Sequence, residues 1–269
     1  MHPPPVQPPD HSFLPTAGQG VVLWVLFIVA NNVASMFAGG LARTWPGSAL
    51  AATVSVALLA SAQGSVVWLG KRLTGRTWRQ VLPVRVPSAL EVVAVLFVFG
   101  GLQVAKACLL LSVIEHLPRT ADWVVAQFAA APAVRTVVVA PIAEEAFFRG
   151  LLLGGFLLAY RRWTAILLTT LLFAAIHVDP VQATGAVASG AFLGWLMAAS
   201  GNLALPVLAH AAGNAMALAP TRYPDLLGAI AGRPVTSGIL GVFALALGTF
   251  LLRRTQRPAP RPSLTTGVA

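Results

Sequence analysis

Three short clusters of ionisable and amide side chains, each set in a long apolar run, are where this sequence can do chemistry. The first is Glu144, Glu145 and Arg149 in Pro141-Ile-Ala-Glu144-Glu145-Ala-Phe-Phe-Arg149-Gly150. The second is His177, which closes Phe173-Ala-Ala-Ile-His177, and the third is His210 with Asn214 in His210-Ala-Ala-Gly-Asn214. A spacing of four puts Glu145 and Arg149 on one helix face, where they can pair. Glu144 then points about 100° away around the helix and is free to face something else. His210 and Asn214 share a face in the same way, and Phe173 stacks one turn from His177. A carboxylate, two imidazoles and an amide are the parts of a site that activates water. Glu144 would take the proton as general base, and an imidazole N–H with the Asn214 amide would stabilise an oxyanion. Equally, Glu144, His177 and His210 could hold a divalent metal such as zinc that activates the water instead. The residue types and spacings admit both.

The elements that must position these groups are membrane helices. The chain is 269 residues long, 57% hydrophobic and only 10% charged, where a soluble domain carries about 25% charged residues. Runs at 21–40, 48–70, 88–114, 137–160, 163–179, 181–199, 202–218 and 235–252 are expected as spans, since roughly 20 apolar residues cross the hydrocarbon. The fold class is therefore all-α and integral to the membrane, a bundle of about eight transmembrane helices around a polar intramembrane cavity. An ionisable side chain at the bilayer centre costs at least about 2.5–3.5 kcal/mol, so the three polar faces should turn toward that common interior, away from lipid. Residues 1–20, with Pro3, Pro4, Pro5, Pro8 and Pro9, read as a disordered tail, 21–252 as the membrane domain, and 253–269 as a basic, proline-containing tail. Region 121–136, with Asp122, Trp123, Phe128 and Pro132, reads as an interfacial helix or as the start of the fourth span.

The net charge of +10 sits in loops. Lys71, Arg72, Arg76, Arg79 and Arg85 lie between two apolar runs, Arg161 and Arg162 between two others, and Arg253, Arg254, Arg257 and Arg261 after the last. That distribution follows the positive-inside rule, and no nucleic-acid partner is expected. Eight spans with both termini cytoplasmic satisfy all three clusters, in a multi-pass protein of a bacterial-type cell membrane. Cys108, the single cysteine, rules out an internal disulfide.

The string Glu-Glu-x-x-Phe-Arg-Gly at 144–150, Phe-x-x-x-His at 173–177 and His-x-x-x-Asn at 210–214 resembles the type II CAAX prenyl endopeptidase family, also called CPBP or Abi, over about residues 88–218. The resemblance implies an eight-helix membrane protease with Glu144 as water activator, His177 as the second-motif histidine, and His210 with Asn214 in transition-state stabilisation or metal binding. It also implies a membrane-associated peptide or protein substrate, of which some in the family are prenylated at cysteine. Other intramembrane proteases fit less well. There is no His-Glu-x-x-His, Ser189-Gly190 lacks the preceding glycine of a rhomboid-like nucleophile, and Asp122, Asp179 and Asp225 fall in expected loops. A proton-coupled transporter would also use interior Glu, Arg and His, but no repeated half is visible; a non-enzymatic scaffold or immunity factor would keep the residues without their chemistry. Among the remaining features, Lys106 is expected to snorkel outward, Gly39, Gly40, Gly100 and Gly101 to allow close helix contact, and Trp24, Trp68 and Trp163 to anchor span ends. Asn31 and Asn32 should line the cavity or bond across helices.

Overall fold

The computed structural model describes residues 16–114, 133–177, 180–223, 225 and 232–255. The described residues form helices joined by short turns, as the composition demands of a chain that must satisfy every backbone group inside lipid. α1 is Ala17–Thr44, α2 Ala49–Leu73, α3 the single turn Trp78–Val81, and α4 Ala89–Ile114. α5 runs unbroken through four segments, Arg135–Val139, Ala140–Glu145, Ala146–Leu153 and Gly154–Ala159. It is followed by α6 Arg162–Ala174, α7 Pro180–Ser200, α8 Ala204–Arg222 and α9 Pro234–Thr255. Most of the expected terminal tails, Asp122, Asp179 and residues 121–132 lie outside the described residues.

Five of these helices are long and apolar enough to cross a membrane: Ala17–Thr44, Ala49–Leu73, Ala89–Cys108, Gln182–Ser200 and Pro234–Thr255. The three remaining expected spans are the ones that carry the polar clusters. α5 holds Arg135, Glu144, Glu145 and Arg149, α6 and the apolar part of α8, Ala204–Ala219, are shorter than a full crossing. α6 stops at Ala174, so His177 sits in the turn beyond it and not within a helix running to 179. The outer faces are apolar. Ile239, Leu240, Val242 and Phe243 of α9 and Met36 and Phe37 of α1 are all more than half exposed, a surface suited to lipid and not to water.

Apolar tails surround these helices, so burial of apolar surface cannot drive them together, and close backbone packing must. α4 and α9 show it most clearly. A Cβ on Gly101 would strike the carbonyl of Gly241 and the backbone of Leu245, and one on Gly248 would strike backbone atoms of Ala94 and Val98. Gly39 and Gly40, by contrast, touch no neighbouring helix. α1 and α2 are joined instead by a buried amide pair, Gln63 Nε2 donating to Asn31 Oδ1 at 3.1 Å, whereas Asn32 bonds back to Ile28 O of its own helix. Trp24 also makes a contact between helices. Its indole N–H donates to Leu172 O at 2.7 Å and ties α1 to α6, while Trp68 and Trp163 are exposed as expected.

Candidate active site

The local backbone around Glu144 and Glu145 is set by Pro141. A proline inside a helix has no N–H to give and its ring crowds the preceding turn; the chain answers with a wider π turn over Arg135–Val139 just before it. The N–H of Ala140 reaches back five residues to Arg135 O. The next carbonyl in that register, Thr136 O, would need the N–H that Pro141 lacks. Asn214 of α8 supplies it, its Nδ2 donating to Thr136 O at 2.8 Å. Asn214 therefore satisfies an orphaned carbonyl beside the glutamate pair and fixes α8 against α5, and its second amide N–H has no described acceptor.

A second π segment, Ala146–Leu153, follows the glutamates. Its loosened carbonyls Gly150 O and Leu151 O accept from Arg76 Nη1 at 3.3 and 3.0 Å. Gly150 lies so close to Val81 O of α3 that no Cβ would fit. Arg76, which charge counting reads only as a marker of topology, is thus a clamp on the back of the motif helix. Its partial burial in this loop lowers its pKa from the ordinary guanidinium value.

Glu145 and Arg149 are both fully buried and paired at 2.8 Å, as their spacing predicts. Arg149 Nη2 also donates to Gly190 O of α7 at 3.2 Å, and the guanidinium lies 4.5 Å from the centre of the Phe173 ring of α6. Gly190 makes that approach possible, since an added Cβ would stand 3.1 Å from Phe173 and 3.5 Å from Arg149 Nη2. Phe148 packs edge-on to Phe173, and Phe147 stacks on Phe27 of α1 at 4.3 Å. One arginine thereby gathers α5, α6 and α7, with aromatic rings sealing it from lipid.

His210 of α8 completes the arrangement. Its Nδ1 lies 2.8 Å from Glu145 Oε1, and its Nε2 faces Glu144 Oε2 at 3.8 Å. A carboxylate on Nδ1 fixes the tautomer with the proton on that nitrogen and leaves Nε2 turned to the open side. Glu145 is wholly buried, but Glu144 keeps 17% of its side chain exposed. The gap of 3.8 Å exceeds a direct hydrogen bond. α8 is brought there by Asn202, whose Oδ1 accepts from both Arg85 N and Ala204 N at 2.9 and 3.2 Å. Gly213 adds to it by admitting the Phe99 ring of α4.

His177 belongs to the same wall but not to the same contact. Its Nδ1 is 3.1 Å from Phe173 O, and the Phe173 ring stands between it and His210, with ring centres 5.2 and 5.8 Å away. Among the described residues no three His, Cys, Asp or Glu side chains stand together as metal ligands, so Glu144, His177 and His210 do not assemble into a ligand set here. The residues missed in the sequence were Arg76, Gly190 and Asn202. Arg135 was missed too, though it lies within electrostatic reach of Glu144. In the sequence Ser189-Gly190 stands out only as an incomplete nucleophile motif.

Residues 126–216 match the family model described as Type II CAAX prenyl endopeptidase Rce1-like. No curated protein and no solved structure matches the chain.

Proposed function

We propose, from the match of residues 126–216 to the Rce1-like type II CAAX prenyl endopeptidase model, that this chain is an intramembrane endopeptidase which hydrolyses a peptide bond of a membrane-associated substrate. The observation that carries the proposal is the unbroken contact series Arg149, Glu145, His210, Glu144, with the last two converging at 3.8 Å. Arg149 pairs with Glu145 away from solvent, and Glu145 orients His210. Glu144 takes a proton from the water held between its Oε2 and His210 Nε2, and the hydroxide adds to the scissile carbonyl. His210 Nε2 accepts the water's second hydrogen, and the oxyanion is stabilised by the second N–H of Asn214. Glu144 then returns its proton to the leaving amine. His177 polarises from the far side of Phe173. These steps run through side chains and water, in keeping with the donor geometry of the site.

α5, α6 and α8 complete the bundle to eight crossings around a water-accessible cavity, with both termini cytoplasmic. α6 and the apolar part of α8 are short, and α5 turns its Glu145 and Arg149 to the protein interior. The substrate is a peptide or protein held at the bilayer, and a prenylated C-terminal motif is its candidate form.

The test is to place purified protein in nanodiscs with lipid-anchored peptides, prenylated and not, and to look for new peptide ends by mass spectrometry. A protease yields discrete fragments at one bond. A scaffold or a transporter leaves every peptide intact, and that outcome would sink the proposal.

A further inference from the structure

Lys106 of α4 does not snorkel to the outside. Its chain lies along α7 where Gly185 leaves room, an added Cβ there standing 3.1 Å from the lysine Cε. Its Nζ donates to Gln103 Oε1 at 2.8 Å and to Ser189 Oγ at 3.1 Å. Both acceptors are neutral. An ammonium carries three donors, and among the described residues no carboxylate lies within ion-pair distance of this one. A cation in the interior of a membrane protein calls for an anion, and the described fold does not provide it.

The position ties this cation to the site. Ser189 precedes Gly190, whose carbonyl receives Arg149. Gln103 turns its other amide atom to α8, Nε2 donating to Gly213 O at 2.9 Å, one residue before Asn214 and one turn after His210. The lysine is therefore held by α7 directly and linked to α8 through Gln103, the helices that carry Gly190 and His210. Gln103 is also locked, with both amide atoms engaged, so that the Nζ is aimed and not merely tolerated.

Resting on the protease reading, we propose that Lys106, positioned by Gln103 and Ser189, is the receptor for the free C-terminal carboxylate of the substrate. The carboxylate supplies the missing acceptor for the third N–H, and the two short neutral bonds keep the ammonium in place before substrate arrives. A peptide whose end is blocked as a carboxamide offers no such charge and binds less well.

The experiment uses full-length Glu144→Gln protein in nanodiscs and a fluorescent lipid-anchored peptide made as free acid and as carboxamide. The acid is expected to bind roughly 10- to 100-fold more tightly, the range for a hydrogen bond to a charged group. Lys106→Met is expected to erase the preference and Lys106→Arg to restore part of it. Equal affinity for acid and amide, or binding of neither, overturns the proposal even if Lys106→Met fails to fold, as does a preference that survives Lys106→Met. Discs of phosphatidylglycerol and of phosphatidylcholine separate the sources of the anion. If the preference vanishes in the anionic discs, a lipid phosphate is the occupant and the assignment to peptide fails. Cleavage by the protein with Glu144 intact is read in parallel, so a chain that prefers the acid but cuts nothing contradicts the protease reading and leaves the carboxylate site standing.

Discussion

Replacing Arg149 by methionine tests how the site is held together. Arg149 and Glu145 have no solvent exposure and meet at 2.8 Å, and the same guanidinium satisfies Gly190 O. Methionine keeps an unbranched, apolar side chain in the space between Phe148 and Phe173 but removes every donor. Glu145 is left as a buried carboxylate facing only His210, and breaking a buried pair from one side costs about 3–5 kcal/mol. For a chain of this size each kcal/mol moves the unfolding midpoint by about 2–4 °C, so the Tm in detergent should fall by about 6–20 °C. Glu145→Gln alone should produce a loss of similar order, because it strands the arginine. The double variant Glu145→Gln/Arg149→Met has neither charge, and its loss should be smaller than the sum of the two by at least about 2 kcal/mol. The assay is a thermal unfolding series on the four proteins in one detergent. Additive losses, or an Arg149→Met shift under about 2 °C, would refute the claim that this pair is a sealed structural unit.

Two further outcomes follow from the contacts around it. Gly190→Ala places a methyl 3.1 Å from Phe173 and 3.5 Å from Arg149 Nη2, so it should destabilise by about 1–3 kcal/mol and lower kcat more than a surface alanine does, both measurable on one preparation. His210→Ala removes the group between the two glutamates and should cut kcat by about 10²–10⁴-fold with little change in the affinity for an anchored peptide; a change in binding alone would contradict its place in the chemistry.

How much of this was legible depended on whether an interaction was local. Glu145 with Arg149 could be read because a helix brings residues four apart together whatever the fold. Pro141 stands in the motif string, but the need it creates at Thr136 O, and its answer by Asn214, join two helices far apart in sequence. The place of Lys106 is hidden in the sequence for a related reason. α4 is apolar on all sides, so no amphipathic stripe says which face meets protein, and an interior lysine looks the same as one bound for the interface. Arg76 and Arg85 were counted as loop charges, and counting cannot show that one clamps the motif helix while the other pairs with Glu91. The expected span 163–179 runs past the end of α6, because its apolar run continues beyond Ala174 although the helix ends there. Gly39 and Gly40 share the composition of Gly101 but not its neighbour, and glycine pairs alone do not distinguish packing from lipid exposure.

The most direct measurement is the single-turnover cleavage rate of an anchored peptide by wild type and by Glu144→Gln, with both proteins first matched for Tm and for elution in size exclusion. Glu144 is partly exposed and makes no contact with Arg149 shorter than an ion pair among the described residues, so the substitution should leave the fold intact. The account predicts that the rate falls by about 10²–10⁴-fold, as expected when a general base is lost. Cleavage at the wild-type rate by a folded Glu144→Gln protein would contradict it.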